Sequence, residues 1–525
     1  MFSNNRINED YWENLVFGKA DFDFIFNLLL EREVPLSTSD LVNEFIPYKI
    51  SSEIERLKME NAQLGEVYLP KNDYSPSDMV VFPSFDMKKG KVTSKRDGFN
   101  PDFEPFKVIE VVFDNGDKKL FACDLQNHPQ NLVLEAEINN PNFDSDFVKA
   151  TFGTALIAEL ENVLLDNDDL VRIAGSWFPR ALLVDVNAGH LNLAEAVLEE
   201  ANGGPLDAIT LMQQVELSAD VHHKLLEFSF DLALQEDNRF DEVGPSGKTL
   251  WFLHAMEPDD VKNIPIYLDY QQKSDITDNI KQFLQMFEGN LYDELDSWDL
   301  SDNEQVEAKI SLIFPHWRSG TLPLSNTLSK MFPTAYEAPR VRFTFIDEDE
   351  GSSFPGWVVR PNKYVYGLKE WYEKKQLIPG NYVNIRKGKK EGEIHVRVEK
   401  SRQNREWLKT ILVGTDHGIV FAMLKHPINA SFNERMAIAI PDIASVDELW
   451  TDRVYSKEPV EKTILRIMRE LSKLNPQGQV HAQELYSAVN IIRRCPPSVV
   501  MTYLTETKNV SHLGDLYFRI QEGEN

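Results

Sequence analysis

A chain of 525 residues exceeds what one hydrophobic core serves, and 42% hydrophobic with 26% charged residues is ordinary composition for several folded domains. Its 55 basic and 84 acidic residues give a net charge of −29, which argues against binding of nucleic acid or anionic membranes by the surface as a whole. The start MFSNNRINEDYW has no secretory pattern, no apolar run approaches the roughly 20 residues of a membrane span, and Cys123 and Cys495 lie far apart. These features predict a cytoplasmic protein with reduced thiols and neither cofactor nor metal site.

In chain order, Asp21–Glu33 carries apolar residues on a helical period that Pro35 ends. Ser37, with Asp40 three residues on, caps a second helix, and a third spans Ser51–Gln63. Three short helices predict a helix-turn-helix or winged-helix-like unit over 1–70. The period then changes to two. DMVVFPSFDMKKGKV and FKVIEVVFDNGDKKLFA alternate, the latter around the hairpin signal Asn115-Gly116, and Lys88, Lys89, Lys91, Lys95 and Arg96 cluster between strands. Residues 71–135 resemble the small SH3-like barrels of transcription factors, of the CarD and KOW kind, which implies nucleic-acid contact through those five cations. A structural barrel with a solvated basic loop fits the same residues.

Residues 136–258 begin with a helix near Phe147–Leu165 and strand-like VRIAG and ALLVDVN. Helices over Leu191–Ala201, Leu206–Gln214 and Val221–Gln235 follow, and RFDEV and TLWFL flank Gly244-Pro245-Ser246-Gly247 as a hairpin. That order is a winged helix over 190–258. It resembles the HARE helix-turn-helix family in Asp237, Arg239, Phe240 and a buried Trp251. The third helix offers Lys224 and two histidines against Glu227, Asp231 and Glu236, so the resemblance implies a fold rather than DNA contact. The acid-rich stretch 259–304 reads as a helix and a solvated spacer.

One window departs from the acidic average. Arg360 to Lys409 holds fourteen Lys or Arg against six Glu. Around it, Leu322-Pro323-Leu324-Ser325 enters a helix, Phe354-Pro355-Gly356-Trp357 starts a strand, Leu368–Lys375 is a short amphipathic helix, and Leu377-Ile378-Pro379-Gly380-Asn381-Tyr382-Val383 turns into another strand. Residues 305–456 thereby resemble the DNA-binding pseudobarrel family of plant auxin-response-type and restriction-enzyme effector domains. The resemblance implies DNA contact through Arg318, Arg360, Lys363, Arg386, Lys387, Lys389 and Lys390. Against it stand the acidic run Asp347-Glu348-Asp349-Glu350, which would repel phosphate from the same side, and the alternative that Arg386 to Lys390 is a solvated hairpin tip. Residues 457–525 repeat the winged-helix order: a helix over Val460–Leu474, one from His481, one from Pro496-Pro497, and a hairpin near Gly514-Asp515. The third of these helices is uncharged until Glu506, which suits protein contact or structure better than a major groove.

Nothing in the sequence reads as a catalytic centre. Gly244 to Thr249 looks like the end of a phosphate-binding loop, but Glu242 stands where that motif needs glycine, and TLWFL reads as a strand. Gly351 to Gly356 lacks the spacing of a nucleophile elbow. His222 and His223 are adjacent and point apart on a helix, and His254, His316, His417 and His426 have no recognisable ligand partners. The expectation is an α+β multidomain protein of winged-helix units, a small SH3-like β-barrel and a pseudobarrel. It would bind double-stranded DNA or serve transcription without catalysis, its winged helices meeting protein partners. The alternative is an acidic interaction scaffold, an adaptor of RNA polymerase or a defence complex, with no DNA contact.

Overall fold

The computed structural model describes residues 9–521 apart from 65, 83–84, 86–87, 102, 129–130, 132–140, 218–219, 271–276, 288–290, 297–305, 336–337 and 391. The chain is mixed α+β, with 16 helices and several sheets among the described residues, one of them curled into a half-barrel. It divides into two units, residues 1–184 with 220–226, and 185–219 with 227–525. Among the described residues no helix is long and apolar enough to cross a membrane.

In the first unit, the helix Lys19–Arg32 stops where Glu33 turns left-handed, at φ 51°. Strand β1 (Leu36–Ser37) leads into the next helix, where Ser37 Oγ accepts the Asp40 amide at 3.1 Å, the cap the sequence predicts. The two helices expected after Ser37 are one, Thr38–Leu64, with Pro47 inside it. Proline's fixed φ is helical, so Pro47 forfeits one backbone bond, and Leu41, Val42, Phe45, Ile46 and Ile50 bury a continuous face on both sides of it. The expected order of three short helices is therefore replaced, after Lys19–Arg32, by this single long one.

A five-stranded sheet follows: β2 (Glu66–Val67), β3 (Met79–Phe82), β4 (Lys88–Asp97), β5 (Lys107–Phe113) and β6 (Lys118–Cys123), in that order. The β5–β6 hairpin turns through Gly116 at φ 83°, as Asn115-Gly116 predicts. Tyr74, Val80, Phe82, Val92, Ile109, Val111, Phe113 and Cys123 make its core. Gly90 is required in β4, because a Cβ there would lie 2.3 Å from Val111 Cγ1. The helix Ser145–Leu165 then packs on Thr38–Leu64, and β7 (Leu170–Ile173) and β8 (Ser176–Pro179) complete a sheet ordered β1-β8-β7. The strand expected over ALLVDVN is absent. Positive φ at Ala174 and Gly175 turns the chain early, so Ser176–Pro179 is the strand and Arg180–Leu182 a single 3-10 turn.

In the second unit, helices Ala188–Glu200 and Ala208–Val215, and the part of the helix His223–Glu236 from Glu227 on, precede an antiparallel pair, β9 (Phe240–Glu242) and β10 (Trp251–Leu253). Trp251 is buried and donates from Nε1 to Asp231 at 2.6 Å, while Arg239 holds Asp237 and Glu195. A seven-stranded sheet comes next: β11 (Glu307–Ser311), β12 (Thr321–Pro323), β13 (Arg340–Asp347), β14 (Ser353–Val359), β15 (Tyr364–Tyr366), β16 (Tyr382–Lys387) and β17 (Glu393–Arg397). Its order is β11-β16-β17-β13-β14-β15-β12, with β13 and β17 parallel. The predicted amphipathic helix is Lys369–Lys374, pinned by Trp371 Nε1 donating to Asp347 at 2.9 Å. A long hairpin, β18 (Lys400–Val413) and β19 (Ile419–Ala430), pairs with β20 (Ile438–Ala439).

The C-terminal region follows the predicted order, with helices Val460–Ser472, Ala482–Ile492 and Pro497–Glu506. Strands β21 (Gln479–His481), β22 (Val510–Gly514) and β23 (Tyr517–Ile520) form a sheet ordered β21-β23-β22. The acid-rich stretch is not a solvated spacer where it is described. Ile280 and Leu284 of the helix Asp278–Gln285 join the C-terminal core, and Asp293, Glu294 and Asp296 are buried against Arg494, His316 and Ser498. Residues 271–276, 288–290 and 297–305 of that stretch lie outside the described residues.

Candidate nucleic-acid interface

The seven cations expected to carry DNA on the seven-stranded sheet separate into two groups. Arg318 is bound to Asp447, from Nε at 3.0 Å and Nη2 at 2.8 Å, and lies over the Tyr267 ring; the Asp447 carboxylate raises its pKa. Arg360 is half-buried, donates from Nη2 to the Pro333 carbonyl at 2.8 Å, and has its pKa lowered by burial. Arg386 donates from Nε to Glu348 at 3.0 Å. These three hold the fold together. Lys363, in the β14–β15 turn with φ 54°, and Lys387, Lys389 and Lys390, at the β16–β17 tip, stay exposed, and Lys390 stands 3.5 Å from Glu393.

Three of the four carboxylates in the acidic run that would repel phosphate are spent within the fold, and Asp349 stays exposed. Asp347 is buried and takes Lys375 at 2.7 Å, Glu348 takes Arg386 and His395, and Glu350 takes Lys374 and Lys375. In the parallel β13–β17 register Thr344 faces Glu393 and Asp347 faces Val396, so the lysine tip and the acidic turn lie toward opposite ends of β17.

The five cations of the first unit are placed differently from expectation. They lie on β4, inside the five-stranded sheet, rather than in a loop. Strand alternation turns Gly90 and Val92 into the core and Lys89 and Lys91 to the opposite face. On that face the register aligns Met79, Lys91, Val112 and Lys118 across β3 to β6. Beyond a bulge between Val92 and Ser94, the rows across β4, β5 and β6 run Ser94, Glu110, Leu120 and Arg96, Val108, Ala122. Lys88, Lys89, Lys91 and Arg96 are exposed, and among the described residues none of them has a carboxylate partner. Lys95 is the exception: it pairs with Asp73 and lowers that carboxyl's pKa.

The sequence reading missed part of this face. On it Lys118 stands 3.9 Å from Glu110; Lys119, on the opposite side of β6 beside Val111, lies 4.0 Å from the centre of the Phe85 ring. Phe99, in the loop leaving β4, is 95% exposed, and Met79 and Leu120 are exposed within the face. The Asn115-Gly116 hairpin was legible, and with it the pairing of Lys118 with Val112. Nothing in the sequence showed that β4 would lie beside β5 in the register that adds Lys91 to the same row. The arrangement offers phosphate-directed point charges beside apolar and aromatic surface on which a base can rest, the combination used to hold a nucleic-acid backbone.

Of the four histidines read as having no recognisable ligand partners, His426 meets the Thr410 hydroxyl at 2.9 Å, and two meet carboxylates. His316 is buried between Glu294 and Thr321, each at 2.9 Å, and His254 meets Asp241 and Glu257. Gly244 to Thr249 opens no helix, so its amides form no phosphate cradle. No protein-family model, curated protein or solved structure matches the chain.

Proposed function

We propose that this protein is a DNA-binding or transcription-associated factor without catalytic activity, and that its contact with DNA is made by the β4–β6 face of the first unit. The observation that carries the reading is the row of exposed cations Lys89, Lys91 and Arg96 on one face of β4, with Lys88 exposed at the strand's start, none with a carboxylate partner among the described residues, in a chain of net charge −29. The meander of β3 to β6 supports an SH3-like barrel. The helices and terminal hairpins over 188–253 and 460–520 support winged-helix units, and the seven-stranded sheet supports a pseudobarrel. Lysine contacts to phosphate give sequence-independent affinity that falls as salt rises, by about 0.9 log units per tenfold salt for each duplex phosphate neutralised. An acidic remainder limits binding elsewhere on the surface.

A second reading, an acidic interaction scaffold, is favoured in the second unit by the engagement of Arg318, Arg360 and Arg386 and by exposed Trp407, Leu412, Val420 and Leu424 on the β18–β19 hairpin. Fluorescence anisotropy with duplex and single-stranded oligonucleotides across a salt series separates the two. The DNA reading expects binding that tightens as salt falls, collapses in a Lys89→Glu/Lys91→Glu/Arg96→Glu variant and survives Lys387→Glu/Lys389→Glu/Lys390→Glu. No binding at low salt leaves the scaffold reading.

A further inference from the structure

One side-chain cluster in the second unit has the donors and spacing of a cation site. Asp241 lies on β9, and His254 and Glu257 lie on and just after the 3-10 turn that leaves β10. The antiparallel register sets Asp241 beside Phe252, and the His254 amide donates to the Arg239 carbonyl at 3.0 Å, which folds the turn back over β9. His254 Nδ1 is then 2.8 Å from Asp241 Oδ2 and 3.6 Å from Glu257 Oε2. One donor atom from each of the three residues lies within 4.8 Å of the other two. Ligands at 2.0–2.1 Å from a tetrahedral ion are separated by about 3.3 Å, so these spacings need only small adjustments.

The second observation concerns Glu257 itself. Its side chain is fully buried, and neither carboxylate oxygen accepts a hydrogen bond. Arg340 Nη1 stands 3.3 Å away, but its hydrogen bond is to Asp241 Oδ2 at 2.8 Å, and the near nitrogen of His254 is turned to the same oxygen. The hydrogen bonds of Arg340 Nη1 and of the near His254 nitrogen thus go to Asp241, while the buried Glu257 carboxylate, aimed into the cluster, keeps only the longer ion-pair contacts to both and accepts no hydrogen bond, a costly state for an anion. The ring of His254 is part-exposed, which leaves an approach from solvent.

We propose that Asp241, His254 and Glu257 bind a divalent transition-metal ion, with Arg340 orienting Asp241 from outside the ligand set. One imidazole nitrogen and two carboxylate oxygens suit zinc better than calcium or magnesium, which take oxygen ligands. Three protein ligands leave one position of a tetrahedron for water. The two carboxylates balance the charge of the ion, and it replaces the donor that Glu257 lacks.

The test is zinc binding by the full chain, stripped with chelator and titrated with Zn2+ against a chromophoric competitor, with Mg2+ and Ca2+ run in parallel. The expected result is one saturable zinc per chain, a raised melting temperature with zinc, and neither effect with the other two ions. Glu257→Gln and His254→Ala should each weaken zinc binding by more than the ~10–100-fold typical of losing an outer-shell partner, and Arg340→Gln by about that range. Glu257→Gln is close in shape, and its zinc-free melt and circular dichroism report whether it folds. Absence of saturable uptake, or uptake unchanged in both ligand variants, overturns the site. So does a Glu257→Gln chain that melts higher than the zinc-loaded parent, because a proton between Asp241 and Glu257 would then be the cluster's natural partner.

Discussion

Arg494 donates from Nη2 to Asp293 and to Glu294, each at 2.9 Å, across about 200 residues of chain and with all three side chains buried. Tyr486 donates to Asp293 and His316 closes on Glu294. Burial alone would raise Glu294, and the Arg494 guanidinium with His316 overcomes it and holds that carboxyl well below the usual range. Burial also dominates at Asp293, whose pKa stays raised against the pull of Arg494. Removing the cation strands two carboxylates out of water. Arg494→Leu should destabilise the second unit by about 3–5 kcal/mol, read by denaturant unfolding, and Asp293→Asn should cost less because Glu294 keeps Arg494.

Asp231 tests the same physics with one neutral donor. Burial pushes its pKa up to about 8, opposed by the hydrogen bond from Trp251. The native state therefore holds its proton more tightly than the unfolded chain. The associated stability is full below the ordinary carboxyl value of about 4 and is lost as pH rises through 8, by up to about 1.4 kcal/mol per pH unit. Asp231→Asn keeps an acceptor for Trp251 and should flatten that slope, monitored by tryptophan fluorescence during unfolding between pH 5 and about 9.

His481 should act in the opposite direction. It caps the helix Ala482–Ile492, its Nδ1 accepting the Gln483 amide at 3.2 Å, which requires an unprotonated nitrogen. Burial, reinforced by Arg435, lowers its pKa to about 4. The unfolded chain then binds the proton more readily, so this stability is present above about 6.5 and lost as pH falls through 4. His481→Asn retains a capping acceptor and should remove that acid sensitivity from the C-terminal helices, followed by circular dichroism.

The arginines spent inside the fold make a control for the DNA reading. Arg318→Ala should leave oligonucleotide affinity within about twofold while lowering stability by about 1.5–3 kcal/mol, since its charged hydrogen bonds to Asp447 are lost. Arg386→Ala, whose side chain is more exposed, should cost about 1 kcal/mol or less. A large loss of affinity in either variant, with the fold intact, would return the contact surface to the seven-stranded sheet.

The sequence by itself determined the local elements. Ser37 and His481 mark helix starts, Asn115-Gly116 a hairpin, and the change from helical to alternating apolar period separates helices from strands along most of the chain. These signals act over a few residues, so they are readable without the rest of the molecule. Where a short-range signal was outweighed, packing decided: Pro47 did not end a helix whose buried face runs through it, and the acid-rich stretch did not stay in solvent once Arg494 faced it. Which charges are free was decided only by the tertiary structure. Arg318 and Lys91 look alike as letters, yet one is taken by a carboxylate 129 residues away and the other is set on an open sheet face by strand register. Charge pairing depends on distance in space, and sequence carries distance only along the chain.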